Sequence, residues 1–585
     1  MFSNSLRLAS SCVALSLGIF LAGHVSAATL LTTSLTIQAQ GAVWDPTSGR
    51  FFVSVGSGDP KWPSSIAIVN PDTGQVVDSI PAGDNPGSLA ISNDGQYLYV
   101  ALNAKGTVRR FHLPSHTPDF DISVGPPLQY GFLFAMAVLP QQPQSVLVAN
   151  GTNLSVYDGT VRRGQTAPFL SSAPSLYARQ DNGMMYGYSG GVISVLTVNS
   201  SGVSVTSSQP AFLSYGARAN FSGSLVTDDY GDVFDLDASA LRGRLALPSG
   251  VARCISVADP SGTSVLALPT NATNTPSLER FSLTNFLPVQ EVPLDLAFAN
   301  FLTSLTNSAS LYLWGADGLA IFYGTESSGS EGIAFASTST LANVSNGSPP
   351  APSVDSSGVI HLGVPPAGIV YDAQRNLLWA SVKAFGGNLG NHLIAIDPTT
   401  GNIGIQIYAG SDPGPLAISD DQQRVFAALS GIPAIAPINL TSQISETPYA
   451  VNTPGAPGGG FLFPQSIAAI PGEPLSVVAI SAVPLSNVRL VATYDPTGPR
   501  PQTFTQLVDF IINGDASNAF FAQNNTTYNP ASGFNLYRLV GIPAVLHSTS
   551  NSTRSLRDST NRWLMRMAIS SRAEVQYGHP IRRNS

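Results

Sequence analysis

"LAISNDGQYLYVAL" at residues 89–102 returns as "LAISDDQQRVFAAL" at residues 416–429, 327 positions later. The offset holds on both sides of the quotation. "AVWDPTSGRFFVSV" from 42 aligns with "IVYDAQRNLLWASV" from 369, "IAIVNPDTG" from 66 with "LIAIDPTTG" from 393, and "AGDNPGSLAIS" from 82 with "AGSDPGPLAIS" from 409. "GFLFAMAVLP" at 131 matches "GFLFPQSIAAIP" at 460, where the offset drifts as loop insertions would make it. A large unit has been duplicated.

Inside that unit lies a smaller period of about 35 to 48 residues, a length typical of propeller blades. In its first copy, "GAVWDP", "RFFVSV", "SIAIVNP" and "VVDSIPAG" are separated by Asp45-Pro46, by Gly56 to Pro60, and by Asn70-Pro71-Asp72-Thr73-Gly74. These are turn residues of the kind that join antiparallel strands, so each small unit predicts one four-stranded sheet. Further units begin near Gly87, Gly131, Ser175, Gly216, Arg253 and Phe301, which makes seven. "TTSLTIQAQ" from 32 precedes the first unit without a hairpin of its own. It is expected to supply the outer strand missing from the seventh sheet, which contains "GIAFASTS" at 332–339, leaving only short, protected edges.

A Ser/Asn/Pro-rich stretch over 342–358 reads as a linker. Beyond it "VIHLGVP" at 359 is again an orphan strand, followed by units near Ala367, Ser411, Thr453 and Gln502. The predicted fold class is therefore all-β: a seven-bladed β-propeller over 28–341, then a second, incomplete propeller of about four blades over 359–540. The tail over 541–585 carries seven Arg against two acids and shares neither the strand pattern nor the composition of the body. Three readings stand for it: an amphipathic basic helix around Leu556 to Met567, a disordered extension, or the product of a shifted reading frame. The abrupt change in residue usage favours the last.

The phrases "SNDGQYLYVAL", "PDTGQVVDSIPAG" and "DPTTGNIGIQIYAG" resemble the bacterial YVTN-type β-propeller repeats, within the group of lactonase-like and quinoprotein-like propellers. The resemblance covers 41–113 and 367–430 well, other units more weakly, and not the tail. It implies a seven-bladed ring and leaves the function open, because propellers host unrelated activities.

The opening 27 residues, with Arg7, an apolar stretch to Val25 and a Val25-Ser26-Ala27 ending, read as an export signal that is removed. The apolar run is short for a membrane span, and no later segment reaches that length. The expected location is secreted, periplasmic or at the cell surface. Signal removal takes Cys12 and leaves Cys254 alone, so no intramolecular disulfide is expected. The body over 28–540 has 33 acidic against 19 basic residues, which argues against nucleic-acid partners.

Chemistry is thinly signposted. His112 and His116 have a metal-like spacing, but Pro114 between them prevents a shared helical face. The run Asp228, Asp229, Asp232, Asp235, Asp237 lacks the calcium-loop pattern and suits turn capping. Asp78 and Ile405 stand where the docking repeats of propeller quinone dehydrogenases carry Trp, and no nucleophile elbow is found. No catalytic residue, metal or cofactor is expected.

Arg179, Arg218 and Arg253 fall at or near the inner strands of successive units, where three guanidiniums around one axis would form an anion site. The bland alternative pairs each with a turn Asp. The leading expectation is a non-catalytic binding or scaffold protein that takes a small molecule or a protein at a propeller face. The alternative is a lactonase-like hydrolase using the channel mouth of the first propeller.

Overall fold

The computed structural model describes residues 32–548 outside the segments 126–134, 169–174, 211–217, 249–250, 252, 271–276, 295–309, 324–330, 345–350, 452–460, 483–488, 506–509, 516–517, 525–533 and 541–546, with backbone alone from residue 502. The export signal and most of the tail lie outside the described residues.

The chain is all-β and is built of consecutive antiparallel sheets, mostly four-stranded. The first runs from Ala39–Asp45 through Arg50–Val55 and Ser65–Asn70 to Gln75–Pro81. Burial is graded across it. The central strands RFFVSV and SIAIVN are buried on both faces, whereas QVVDSIP is largely exposed. Continuous apolar character is what a strand requires when neighbouring sheets cover both its faces.

Six more sheets follow, beginning at Pro86–Ile91, Ala135–Leu139, Ser175–Ala178, Ala219–Ser222, Arg253–Ala258 and Ser310–Trp314. Thr33–Thr36 completes the last of these, pairing antiparallel with Gly332–Ser337 in the register Thr33↔Phe335 to Thr36↔Gly332. That is the pairing the orphan strand predicts. Apolar clusters fill the space between the first and second sheets, the second and third, the third and fourth, the fourth and fifth, the fifth and sixth and the sixth and seventh. A further cluster joins Phe51, Val53 and Val69 of the first sheet to Phe322 and Phe335 of the seventh, with Ile37 between them.

Four more sheets begin at Pro366–Asp372, Pro413–Ile418, Phe463–Ile470 and Phe510–Asp515. Gly498–Thr505 is the last strand of the tenth sheet, so the eleventh starts later than the expected Gln502. The stretch read as a linker carries strands as well. Ala342–Asn343 extends the sixth sheet, and Ser353–Val354 pairs with Ile360–His361.

The sequence repeat is also a repeat of contacts. In the opening quotation Ser92 Oγ donates to Asp94 Oδ1 at 2.6 Å and accepts from the Tyr97 N–H at 2.9 Å. In its copy Ser419 does the same with Asp421 at 2.6 Å and Arg424 at 3.0 Å. Both turns pass through the left-handed region, at Gly95 (φ +64°) and at Gln422 (φ +54°). Ser54 Oγ donates to Gly87 O at 2.6 Å, and Ser381 Oγ to Gly414 O at 2.6 Å. A Cβ on Gly41 would lie 2.9 Å from Gly87 O, and one on Gly368 2.7 Å from Gly414 O, so neighbouring inner strands approach at a distance only glycine permits.

The copies differ at one seam. Ala380, Val382, Ile394 and Ile396 of the eighth sheet correspond to Val53, Val55, Ala67 and Val69, which face the seventh sheet in the first unit. Here they are covered by Leu362 and Val364, the counterparts of Leu35 and Ile37. The preceding strand Ile360–His361 is held by its own hairpin instead of a neighbouring sheet. This end of the second unit therefore leaves only part of its apolar face bare. Ile369 and Tyr371 remain 41% and 51% exposed, while Trp44, the counterpart of Tyr371, packs against Trp314.

The two units also touch. The Arg244 N–H donates to Ser411 Oγ at 2.9 Å, Asn391 Nδ2 donates to Asn285 O at 2.8 Å, and Ala384 joins the cluster between the fifth and sixth sheets.

Candidate functional site

Arg179 is held by two carboxylates. Its Nε and Nη2 donate to Asp181 at 2.8 Å each, and Nη1 and Nη2 donate to Asp237 at 2.5 and 3.1 Å. The hydrogen bonds to Asp237 and then Asp181 raise its pKa, and hold both carboxyls below their usual range. Asp237 belongs to the turn before the last strand of the fifth sheet, so this ion cluster ties the fourth sheet to the fifth.

Arg218 and Arg253 gather around a different acid. The Arg218 N–H donates to Asp229 Oδ1 at 3.2 Å, and Arg253 Nη1 lies 3.5 Å from Asp229 Oδ2 with its guanidinium over the Tyr230 ring at 5.2 Å. Arg218 is exposed, yet the surrounding protein desolvates its guanidinium and lowers its pKa, with Asp229 opposing and Arg253 adding to the shift. A shared anion site requires arginines without carboxylates of their own, a condition met by neither Arg179 nor Arg253.

The rest of the acidic run is similarly committed. Asp232 takes Arg244 at 2.6 and 3.1 Å, and Asp235 caps its own turn by accepting from the Asp237 and Ala238 N–H groups. Asp228 accepts from the Tyr230 and Asp232 N–H groups through Oδ1, while Oδ2 is buried without a partner. Burial, with Asp232 beside it, pushes the Asp228 carboxyl well up.

Histidine and cysteine offer little reactivity. His112 Nδ1 meets Ser115 Oγ at 2.9 Å, and His116 Nδ1 meets Asp78 Oδ2 at 3.0 Å. His361 pairs with Asp355 at 3.0 Å, and His392 Nδ1 lies 2.6 Å from Gly390 O. Cys254 is buried and its thiol pKa is driven up by desolvation. Among the described residues no cluster of three His, Cys, Asp or Glu side chains is arranged to hold a metal.

A cavity of about 670 Å³ opens elsewhere, in the wedge between the sixth and seventh sheets, and reaches Trp44 of the first. Its floor follows from register. Val257, Leu266, Arg280 and Gln290 are paired across four strands of the sixth sheet and so share one face, on which Leu266 packs toward the seventh sheet. The apolar row thus ends in a guanidinium and an amide. Opposite stands the turn Trp314-Gly315-Ala316-Asp317-Gly318, whose indole lies across Gly318 so closely that a Cβ there would sit 2.2 Å from the ring. Trp44 is 5.7 Å from Trp314 between ring centroids. Arg280 Nε and Trp314 Nε1 are both buried donors without a hydrogen-bond partner.

None of these residues stands out as a motif in the sequence, because the site joins the first sheet to the sixth and seventh, at the other end of the first unit. The available signal was placement: in "VWDP" and "LWGADG" a tryptophan closes an apolar segment just before the turn.

No family model and no curated protein matches this chain. Among solved structures, "KlHsv2 with loop 6CD replaced by a Gly-Ser linker" is similar at 14% identity over 49% of this chain and 89% of that one, with a TM-score of 0.35. That likeness is too slight to carry a fold or a function.

Proposed function

We propose that the protein is an exported, non-catalytic binding module made of two β-propeller units: a seven-bladed ring closed by Thr33–Thr36, and an open arc of four blades. The ring reading is supported by the pairing of Thr33–Thr36 with Gly332–Ser337, and by apolar clusters that join each of seven sheets to the next and the seventh to the first. The arc reading is supported by the local hairpin that holds the counterpart of the closing strand.

One observation carries the binding reading. The wedge cavity is walled by Arg280, which no carboxylate pairs among the described residues, and by the neighbouring indoles of Trp44 and Trp314. A concave pocket with aromatic walls and a few converging polar groups is the usual form of a small-ligand site.

The test labels the tryptophan indoles with 15N in the full chain and follows them across a ligand panel, while the same protein is assayed for acid release from a set of lactones. Movement of the Trp314 resonance without lactone turnover is the expected result. Turnover would replace this reading with the hydrolase alternative.

A further inference from the structure

We propose that the wedge between the sixth and seventh sheets binds an acidic sugar, its carboxylate on Arg280 and its ring against Trp314 and Trp44. The proposal rests on the binding reading above and names the class of ligand.

The charge argument starts from Arg280. Its side chain lies in the wall of the cavity, partly buried, and no carboxylate pairs with it among the described residues. The two acids that share the cavity are engaged elsewhere. Asp259 accepts from the Ser261 N–H at 2.8 Å, and Asp317 accepts from the Ser337 hydroxyl at 2.5 Å. A guanidinium held partly out of water without a counter-charge is unfavourable, and its fork of donors matches a carboxylate in two parallel hydrogen bonds. The same two aspartates limit the ligand's charge. A phosphate or polyphosphate would bring two or more negative charges toward both, whereas a single carboxylate meets the one cation.

The shape argument comes from the tryptophans. Two indoles at 5.7 Å, tilted by 43°, form an apolar wall. A pyranose ring has an apolar C–H face that suits such a wall and a rim of hydroxyls that must be met by polar groups. Gln290, Asp259, Asp317, Thr338 and Ser339 surround the cavity with amide, carboxylate and hydroxyl groups. A volume of about 670 Å³ accommodates a sugar ring with a neighbour attached.

The experiment titrates the full chain with methyl galacturonoside, which carries a single carboxylate, and, separately, with its methyl ester, reading heat and tryptophan fluorescence, for wild type, Arg280→Met and Trp314→Phe. The acid should bind wild type at least tenfold more tightly than the ester. Arg280→Met should reduce the acid to the level of the ester with Tm unchanged or raised, and Trp314→Phe should weaken both ligands.

Equal affinity for acid and ester, or no binding of either, overturns the proposal. A fall of several degrees in the Tm of Arg280→Met would also overturn it, because Arg280 would then have a structural partner. If Arg280→Met has no effect on affinity while Trp314→Phe weakens both ligands, the ligand class fails and the pocket stands. If neither substitution matters, the binding reading fails with it.

Discussion

Truncating Ile37 to Ala and, in a second variant, Val364 to Ala tests whether the two copies of one strand now do different work. Ile37 is 1% exposed and lies between the first and seventh sheets, touching neither neighbour of the second unit. Losing three buried carbons at about 0.8 kcal/mol each, with a cavity left behind, predicts a cost of about 3 kcal/mol. Val364 is 6% exposed and loses two carbons, for about 2 kcal/mol, all of it within the eighth sheet and its covering strap. For a unit near 300 residues, about 2 °C per kcal/mol gives a fall in Tm of about 6 °C for Ile37→Ala.

The discriminating assay is hydrogen exchange on the full chain. Ile37→Ala should speed exchange in 50–55 and 332–337, which flank the seam, and leave 377–396 protected; Val364→Ala should do the reverse. Unchanged exchange at 332–337 in Ile37→Ala, or the same peptides opening in both variants, would refute the closure argument.

Three further outcomes are expected. Burial raises Glu279 to a pKa of about 7, with Ser277 opposing and Glu291 adding, so its folded form prefers the proton; the stability this gives is complete below about pH 4.5 and is lost as pH rises through about 7. Glu279→Gln should therefore flatten that loss, worth about 3 kcal/mol above pH 7 and nothing below pH 4.5, as denaturant melts at several pH values would read. Gly368→Ala should cost about 1–3 kcal/mol through its contact with Gly414 O, read as a lower midpoint in the same melts, and equal stability would show that the inner strands can separate. Gln422→Gly should stabilise the ninth sheet by about 0.5–1 kcal/mol by relieving a left-handed backbone, provided the hydrogen bond that Gln422 Oε1 accepts from the Gln374 N–H is not missed, and a thermal melt decides the sign.

The sheets were legible in the sequence because each carries its own turn chemistry and its own apolar segments, and duplication showed the pattern twice. Thr33–Thr36 could be assigned to the seventh sheet because an unpaired strand at one end and a three-stranded sheet at the other imply one another. The short strands within the linker stretch are not legible for a related reason. Two-residue strands such as Ala342–Asn343 and Ser353–Val354 have no periodicity to detect and are defined by what they pair with.

Site residues were harder to read. Arg179 looks in sequence like Arg253, and only the folded positions of Asp181 and Asp237 around the one and of Asp229 and Tyr230 around the other show how each is held. Arg280 gave no signal, since lacking a partner is a property of three-dimensional neighbours.

The strand that completes the seventh sheet leaves the ribosome before the other described strands, and its partner, Gly332–Ser337, follows about 300 residues later. At about 5–20 residues per second, roughly 15–60 s pass in which this segment has no mate. During that interval Leu35 and Ile37 have nothing to bury against but the first sheet. Their counterparts Leu362 and Val364 face no such delay, because Ile360–His361 meets Ser353–Val354 a few residues away as soon as both have emerged. The downstream copy can therefore secure its first sheet during synthesis, while the upstream copy finishes only when its two ends meet, which makes the order of translation part of how each unit reaches its native state.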